Sequence, residues 1–361
     1  MSAPGASDAR ANAAAGPRSI AILRLSAIGD TCHVVPLIRT LQHAWPDCRI
    51  SWIIGRVEAK LMRLMPDVEL IPVDKRELRS EWMRLRRELH DRRFDALLHI
   101  QLSLRASLLS TAVRAERKIG FDRARARELQ WAFTNERVPA REREHVLDSF
   151  LGFAEALGAR ERIVAWNLPI PEEAQAYARE LIPDERPTLV ISPASSHPLR
   201  NWDPKRYAAV ADHAARRHGM RIILCGGPGA PERELGAAIA AAASTPLVDQ
   251  IGRDTLPQML ALLARATVLV APDTGPVHMA TAVGTPVIGL YAATNPARSG
   301  PYFSRAWCVD RYREAAVRFL GNSPDELPWW TKIERPGVMD LIDVDAVNER
   351  LDALMHARTP H

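Results

Sequence analysis

Residues 270–291 read VAPDTGPVHMATAVGTPVIGLY, an apolar run that stops at Asp273, Thr274 and Gly275 and resumes after a short stretch of small residues carrying His278. This pattern predicts a strand, a tight turn, a helix and a second strand of a parallel α/β sheet. The turn follows the carboxyl end of a strand and opens a helix. Its backbone N–H groups, hydroxyl and carboxylate therefore predict a site for an anion such as a diphosphate. The alternative is an ordinary helix cap.

The composition limits the class of protein. The chain has 361 residues, enough for two domains, and its 47% hydrophobic and 25% charged residues are typical of a globular protein. No apolar run approaches the length of a membrane span, and the first residues lack a signal-peptide core. The four cysteines are far apart, which disfavours disulfides and a zinc site and favours the cytoplasm. The net charge of +5 suits an anionic partner.

Short apolar runs alternate with amphipathic runs along both halves of the chain, which predicts parallel βαβ units. In the first half we expect strands at 19–25, 49–54, 68–73 and 94–100, and helices at 30–45, 56–65, 76–93, 104–113 and 144–157. In the second half we expect strands at 188–192, 220–225, 247–251, 266–271 and 287–291, and helices at 204–218, 231–242, 256–264 and 344–357. The chain is therefore predicted to form two doubly wound α/β domains.

The expected domain organisation follows from composition. Residues 1–18 are rich in Ala, Gly and Ser and predict a disordered tail. An N-terminal domain is expected over 19–170 and a C-terminal domain over 171–340, with a proline-rich linker region at 169–187 that contains a short helix at 173–182. The final segment, 341–361, is expected to form a helix that could pack back on the N-terminal domain.

The first predicted strand ends in a turn that contains Gly29 and Asp30. Glycine permits a tight turn and the close approach of a ligand. Asp30 then has two interpretations, as a cap of the following helix or as a general base that takes a proton from an attacking hydroxyl.

Several common cofactor and metal motifs are missing from the sequence. No GxGxxG follows the first strand and no GxxxxGK[ST] occurs, which disfavours NAD and P-loop chemistry. No HExxH or paired-histidine spacing indicates a metal site, and the single DxD, at Asp343 and Asp345, is expected to be the acidic start of a helix. We therefore predict neither a cofactor nor a metal.

Two further loops of the second half follow predicted strands and carry polar groups. One contains Ser195, Ser196 and Arg200, whose hydroxyls and guanidinium suit a diphosphate. The other, GGPGAPE, has glycines that admit a ring and ends in Glu232, which could hold sugar hydroxyls. Because parallel strands end at one edge of a sheet, we expect these loops and the 270–291 turn to form a common site.

The segment 75–93 carries eight Lys or Arg against four Asp or Glu, and Arg105 and Arg127 follow it. Its two interpretations are a solvated helix face and a surface that docks a phosphorylated acceptor. Nucleic acid is disfavoured because the basic residues are not interleaved with aromatic ones.

Together these residues resemble the ADP-heptose:lipopolysaccharide heptosyltransferases, glycosyltransferase family 9. The resemblance covers roughly 19–310. RLSAIGDTCHVVPLIRTL is similar to the first-strand motif of the family and implies that Asp30 is the catalytic base. HIQLSLRASLLS, FDRARARELQWAFTNERV and EHVLDSF imply Gln101, Arg105, Arg127 and His145 as residues near the acceptor.

The same resemblance extends to the donor side. PASSHPLRNWDPKRY is similar to the nucleotide-diphosphate loop of the family, some of whose members have lysine at Arg200. APDTGPVHMATAVGTPVIGLYAATNP implies that Asp273 contacts the donor sugar, that Thr274 and Gly275 contact the diphosphate, and that His278 belongs to the same loop. For the ribose, Glu232 and Glu234 both stay candidates.

The resemblance implies a GT-B fold, with two Rossmann-like domains facing each other across a cleft. It implies an inverting, metal-independent transfer of heptose from ADP-L-glycero-D-manno-heptose to a lipopolysaccharide core acceptor, a phosphorylated partner. It also implies a location at the cytoplasmic face of the inner membrane, with peripheral contact to it. The alternatives are another GT-B nucleotide-sugar enzyme such as a 2-epimerase, or a non-catalytic nucleotide-sugar-binding protein. The Arg-rich first half disfavours the epimerase, and the presence of Asp30 disfavours the binding protein.

Overall fold

The computed structural model describes residues 16–358, and these residues form two compact units. The first unit contains residues up to 142 together with 146–166, and the second contains 143–145 and the residues from 167 onward. The division near 166 lies close to the predicted boundary at 170. Of the predicted tail, residues 1–15 lie outside the described range.

The first unit alternates strands and helices. Its strands are β1 (Ser19–Leu23), β2 (Arg49–Gly55), β3 (Glu69–Val73), β4 (Phe94–His99), β5 (Ala115–Gly120) and β6 (Glu136–Arg137). Its helices are α1 (Ile28–Ala44), α2 (Arg56–Met62), α3 (Leu78–Glu88), α4 (Leu104–Ser110) and α5 (Val146–Leu157). The strands are all parallel, in the order β3-β2-β1-β4-β5-β6.

The second unit repeats this plan. Its strands are β7 (Thr188–Ile191), β8 (Arg221–Leu224), β9 (Val248–Asp249), β10 (Val268–Pro272), β11 (Val287–Tyr291) and β12 (Val309–Asp310). Its helices are α6 (Glu172–Leu181), α7 (Pro204–His218), α8 (Ala230–Ala242), α9 (Leu256–Arg265), α10 (Gly275–Ala282), α11 (Pro296–Ser299), α12 (Tyr312–Leu320) and α13 (Val344–Arg358). The sheet order is β12-β11-β10-β7-β8-β9, again parallel.

Both sheets therefore have the doubly wound order 3-2-1-4-5-6 when the strands of each unit are counted from its first. In such a sheet the order in which strands are added reverses between the first and fourth strands, and ligands bind at the carboxyl ends of those strands. The reversal lies between β1 and β4 in the first unit and between β7 and β10 in the second. The predicted pair of Rossmann-like sheets is confirmed.

The strands are buried because helices cover both faces of each parallel sheet. In β10, every residue from Val268 to Ala271 has 0% of its surface exposed. The last helix, α13, buries Val347, Leu351 and Leu354 in the core of the second unit and packs against α7. The segment 341–361, expected to form a helix that could pack back on the N-terminal domain, is therefore part of the second unit wherever it is described.

Two other expectations differ from the structure. The short helix predicted within the linker region is present as α6, but its Ala174 and Ala178 pack against Ala261 of α9, so this region belongs to the second unit. The strands β5 and β6 were not predicted, because the sequence of β5 is largely polar and its Arg117 pairs with Glu136 of β6. The edge strand β6 and its neighbour β5 lack the apolar run that marks a central strand.

None of the helices within residues 16–358 combines the length and the apolar composition that crossing a membrane requires.

Candidate active site

Asp30 lies in the first turn of α1, directly after the carboxyl end of β1. Its Oδ2 accepts a hydrogen bond from the backbone N–H of Ala27 at 3.2 Å, so it caps the helix from the third position rather than from the residue before it. The same oxygen forms an ion pair with the guanidinium of Arg24, a side chain that is 11% exposed. Asp30 itself is 32% exposed. Asp30 can therefore act both as a helix cap and as a general base, because its capping carboxylate also reaches solvent.

Gln101 follows β4, the neighbour of β1 at the reversal point of the sheet. Its Oε1 accepts hydrogen bonds from the backbone N–H groups of Leu25 and Ser26, at 3.1 and 3.4 Å. The structure therefore shows Gln101 holding the turn that carries Asp30. The acceptor contact predicted for Gln101 stays a prediction.

Arg105 and Arg127 are both exposed and belong to the first unit. Arg105 begins α4 and donates a hydrogen bond to the carbonyl of Lys75, a residue that follows the carboxyl end of β3. Arg127 lies in the loop after β5, where desolvation lowers the pKa of its guanidinium. The carboxyl edge of the first sheet is therefore basic.

His145 was predicted on the acceptor side, but the structure places it in the second unit. Its ring is 3% exposed, its Nε2 lies 2.9 Å from the carbonyl of Gly300, and its edge contacts the ring of Tyr302. Burial lowers the pKa of His145 to about 3, so the ring is neutral. The acceptor contact predicted for His145 stays a prediction.

The Asp273–Thr274–Gly275 turn joins β10 to α10, as the sequence predicts. Oδ2 of Asp273 accepts a hydrogen bond from Ser299 at 3.2 Å, and Oδ1 lies 4.0 Å from Nε2 of His278. Thr274 precedes the helix without using its side chain in a capping bond. The hydroxyl of Thr274 and the N–H of Gly275 are placed where a helix N-terminus attracts anions.

The loop after β7 carries Ser195, Ser196 and Arg200 at the neighbouring strand end. Arg200 is 11% exposed, and its Nε and Nη2 both bond Oε1 of Glu334, at 2.9 and 2.5 Å. Burial alone would raise the pKa of Glu334, but its bonds to Arg200 hold that pKa below its usual range. Glu334 therefore stays ionised, and it fixes one edge of the guanidinium.

Glu232 lies in the first turn of α8 and accepts a hydrogen bond from the N–H of Gly227. A Cβ on Gly227 would lie 2.8 Å from the Glu232 carboxylate, so a larger residue there would displace that side chain. The carboxylate folds onto the glycine loop, and Glu234 is exposed one residue beyond Arg233. The choice between the two as ribose contacts stays open.

The sheet order β10-β7-β8 puts these three loops side by side. Lys332 joins them from the Pro- and Trp-rich segment at 322–336. Burial lowers the pKa of Lys332, and the charges of Arg200, Glu334, Asp273 and Arg298 also act on it. Sequence reasoning missed Lys332, Arg298 and Ser299 because they lie far along the chain in segments without a recognisable period.

Asp254, just before α9, was also missed. Its Oδ2 is buried and has no hydrogen-bond partner among the described residues, and burial raises its pKa to about 7. Its charge also acts on Cys225 and Tyr177, whose thiol and phenol have raised pKa values chiefly because of their own burial.

We expect Asp254→Asn to stabilise the protein at alkaline but not at acidic pH. An aspartate has a pKa of about 3.9 in an unfolded chain, so between about pH 4 and pH 7 the folded protein holds a proton that the unfolded chain has lost. Stability conferred by that proton therefore falls as the pH rises through this window. Urea unfolding should show the variant about 1–3 kcal/mol more stable than the parent at pH 8 and nearly equal at pH 4.5. Exposed Asp340→Asn serves as control, and an equal difference at both pH values would contradict the assignment.

Metal ligands were not predicted. Within residues 16–358, one group of side chains has ligand atoms close enough to share an ion, namely His213, His218 and Asp352. It lies on α7 and α13, separate from the loops described above.

Comparison with known proteins identifies the family. A model of glycosyltransferase family 9 (heptosyltransferase) matches residues 82–323. The chain belongs to glycosyltransferase family 9. A lipopolysaccharide core heptosyltransferase of Haemophilus influenzae, OpsX, is 38% identical over 331 residues, which cover 92% of this chain and 95% of that protein. The predicted family and the predicted glycosyltransferase activity are confirmed.

Solved structures agree on the fold. The glycosyltransferase family 9 protein of Veillonella parvula has a TM-score of 0.78 at 22% identity, covering 94% of this chain and 97% of that chain. The ADP-heptose lipopolysaccharide heptosyltransferase II of Escherichia coli has a TM-score of 0.72 at 21% identity, covering 94% and 99%. The GT-B class predicted for this glycosyltransferase is confirmed by these neighbours.

Proposed function

We propose that this family 9 enzyme transfers heptose from ADP-L-glycero-D-manno-heptose to a sugar of the lipopolysaccharide core. The observation that carries the donor half is the cluster of three loops at β7, β8 and β10. The observation that supports the sugar and the acceptor is the similarity to OpsX, a lipopolysaccharide core heptosyltransferase, over most of both chains.

In the proposed reaction, Asp30 takes the proton from the acceptor hydroxyl. The carboxylate pairs with the Arg24 guanidinium, and its partial exposure lets a hydroxyl approach. The alkoxide oxygen then attacks the anomeric carbon from the face opposite the diphosphate, so the bond to ADP breaks as the new glycosidic bond forms. A single displacement of this kind inverts the anomeric configuration.

The leaving ADP gains negative charge as the bond breaks, and we assign its stabilisation to the second unit. Arg200 and Lys332 supply cations, while Thr274 and Gly275 supply an O–H and an N–H at the start of α10. Fixed donors aimed at developing charge are the usual source of such stabilisation. With two cations in the cluster, the proposal requires no metal ion for this step. Asp273, beside His278, is assigned to hydroxyls of the heptose.

Thermal unfolding with nucleotides tests the donor assignment. A ligand that binds only the folded protein raises the midpoint temperature according to its affinity. We expect ADP to raise it by several degrees, and UDP and GDP at equal concentration to raise it less. AMP is the matched control for the second phosphate. Equal stabilisation by the three diphosphates would contradict an adenine-selective donor site, and no stabilisation by any of them would contradict the site itself.

We further propose that the first unit meets the phosphorylated acceptor at the cytoplasmic face of the inner membrane. Arg105 and Arg127 give the acceptor-side edge of the first sheet positive charge, while the charge of Lys75 is balanced by Glu58. Elsewhere on the first unit, Trp82 and Met83 of α3 line a groove of about 920 Å³ together with Arg86, Arg87 and Arg114. Met83 is 45% exposed, and the Arg86 guanidinium lies 5.2 Å above the Trp82 ring. Exposed apolar groups flanked by arginines suit an anionic lipid surface.

Arg86→Glu/Arg87→Glu is expected to weaken binding to vesicles that contain anionic lipid. Each basic residue near such a surface contributes about 1 kcal/mol, so reversal of two charges should lower the partition coefficient about 30-fold or more. Sedimentation with vesicles of phosphatidylethanolamine and phosphatidylglycerol measures this. Val317→Glu replaces an exposed apolar residue of the second unit and should leave binding unchanged. Equal binding by the double variant and the parent would rule out this surface.

A further inference from the structure

Three potential metal ligands meet between α7 and α13. Nε2 of His213 lies 2.7 Å from Oδ1 of Asp352, and Nε2 of His218 lies 2.6 Å from the same oxygen. The side chains are 24%, 15% and 40% exposed, in the order His213, His218 and Asp352. Two imidazoles and one carboxylate therefore point to a single, partly buried position.

We propose that His213, His218 and Asp352 bind a zinc ion that fixes α13 to α7. Imidazole nitrogen and carboxylate oxygen are both zinc ligands, with bond lengths of about 2.0–2.2 Å. Tetrahedral coordination at such lengths separates neighbouring ligand atoms by about 3.4 Å. The observed separations of 2.6 and 2.7 Å would have to widen by less than about 1 Å, which side-chain rotation supplies.

The donor set also distinguishes this cluster from the ordinary histidine–carboxylate pairs of the chain. His43 lies 3.2 Å from Glu161 and His90 lies 2.8 Å from Asp91, but these are pairs of one imidazole with one exposed carboxylate. At Asp352, two imidazoles from one helix converge on a carboxylate from another. Without a metal, the carboxylate accepts a hydrogen bond from each imidazole. A bound dication would take the place of these two protons and would be coordinated by lone pairs of all three side chains.

The position of the cluster indicates a structural role. Helix α7 begins at Pro204, just after the loop that carries Arg200 at the carboxyl edge of the sheet, and ends at His218, two residues before β8. Its last turn therefore lies at the amino edge of the sheet, opposite the donor loops. Helix α13 packs on α7 and buries Leu351 and Leu354 in the core. Zinc at Asp352 would secure that packing without taking part in sugar transfer.

The test uses the full chain without a polyhistidine tag, freed of metal by a chelator. Calorimetric titration with ZnCl2 should show one saturable site per chain, and zinc at 100 times its Kd should raise Tm by about 5 °C. Cobalt(II) at the same site should give the visible absorption of tetrahedral or five-coordinate cobalt. In His213→Gln/His218→Gln, the calorimetric site, the rise in Tm and the cobalt spectrum should all disappear.

Two matched variants keep the outcome clear. His43→Gln/His90→Gln removes two exposed histidines and should leave zinc binding unchanged. Asp352→Asn keeps a polar group of the same size, so it guards against a variant that fails to fold, and it should weaken zinc binding. ADP affinity should be the same with and without zinc, which separates this site from the donor site. Equal zinc affinity in the parent and in His213→Gln/His218→Gln would overturn the proposal.

Discussion

Asp30→Asn is expected to lower kcat by about 10²–10⁴-fold, the usual contribution of a positioned general base. Asparagine keeps an oxygen that accepts the hydrogen bond from the Ala27 N–H, so the start of α1 keeps its cap. What is lost is the negative charge that pairs with Arg24 and can take the acceptor proton. The assay is transfer of heptose from ADP-heptose to a purified core acceptor, followed as released ADP.

Substitution by asparagine separates loss of the catalytic base from loss of the helix cap. Asp30→Ala would remove the cap as well as the base, and a lost cap alone costs about 1 kcal/mol. Because the donor loops belong to the second unit, the Kd for ADP should stay within about twofold of the parent. Gln101→Ala, which frees the Leu25 and Ser26 N–H groups, is the comparison for displacement of the turn. Turnover of Asp30→Asn within threefold of the parent would remove Asp30 as the base.

The sequence predicted the features of this enzyme that depend on residues close together along the chain. Clear apolar runs predicted the central strands. Helix α7 was predicted with its observed bounds, because Asp203 caps its start and Gly219 ends it. The turns that carry Asp30 and Asp273 were predicted because each joins an apolar strand to a helix within a few residues. Local patterns of this kind depend on chain geometry that neighbouring residues dictate.

What the sequence did not predict depends on tertiary packing. Lys332 reaches the donor loops from a segment without period, and His145 leaves its sequence neighbours to lie in the second unit. His213 and His218 are five residues apart on α7, a spacing without a recognised ligand pattern, and only the packing of α13 adds Asp352. Each of these groups brings together segments that are far apart along the chain, so the local sequence around one member does not indicate the others.

Arg200→Ala is expected to raise the Kd for ADP by about 10- to 100-fold, since a hydrogen bond to a charged group contributes about 1.5–3 kcal/mol. The guanidinium bonds Glu334 through Nε and Nη2, both to Oε1. This leaves Nη1 as the nitrogen we assign to the diphosphate. Isothermal titration with ADP measures the change, with Arg217→Ala, an exposed arginine of α7, as control.

Arg200→Lys is expected to bind ADP with intermediate affinity. Lysine keeps the positive charge but has no rigid fork, so it cannot contact Glu334 and a phosphate in the same planar arrangement. A lysine variant that binds as well as the parent would show that charge alone matters at this position.

The carboxylate of Glu334 beside Arg200 provides a second test of the role proposed for Arg200. In Arg200→Ala the Glu334 carboxylate loses its partner and repels the diphosphate, so part of the lost affinity comes from this half-buried charge. Arg200→Ala/Glu334→Gln should therefore bind ADP about 3- to 10-fold more tightly than Arg200→Ala. Glu334→Gln alone, which keeps an oxygen to orient the guanidinium, should bind ADP at least as tightly as the parent. If the double variant bound ADP no better than Arg200→Ala, Glu334 would not influence the phosphates, and Arg200 would act elsewhere than at the diphosphate.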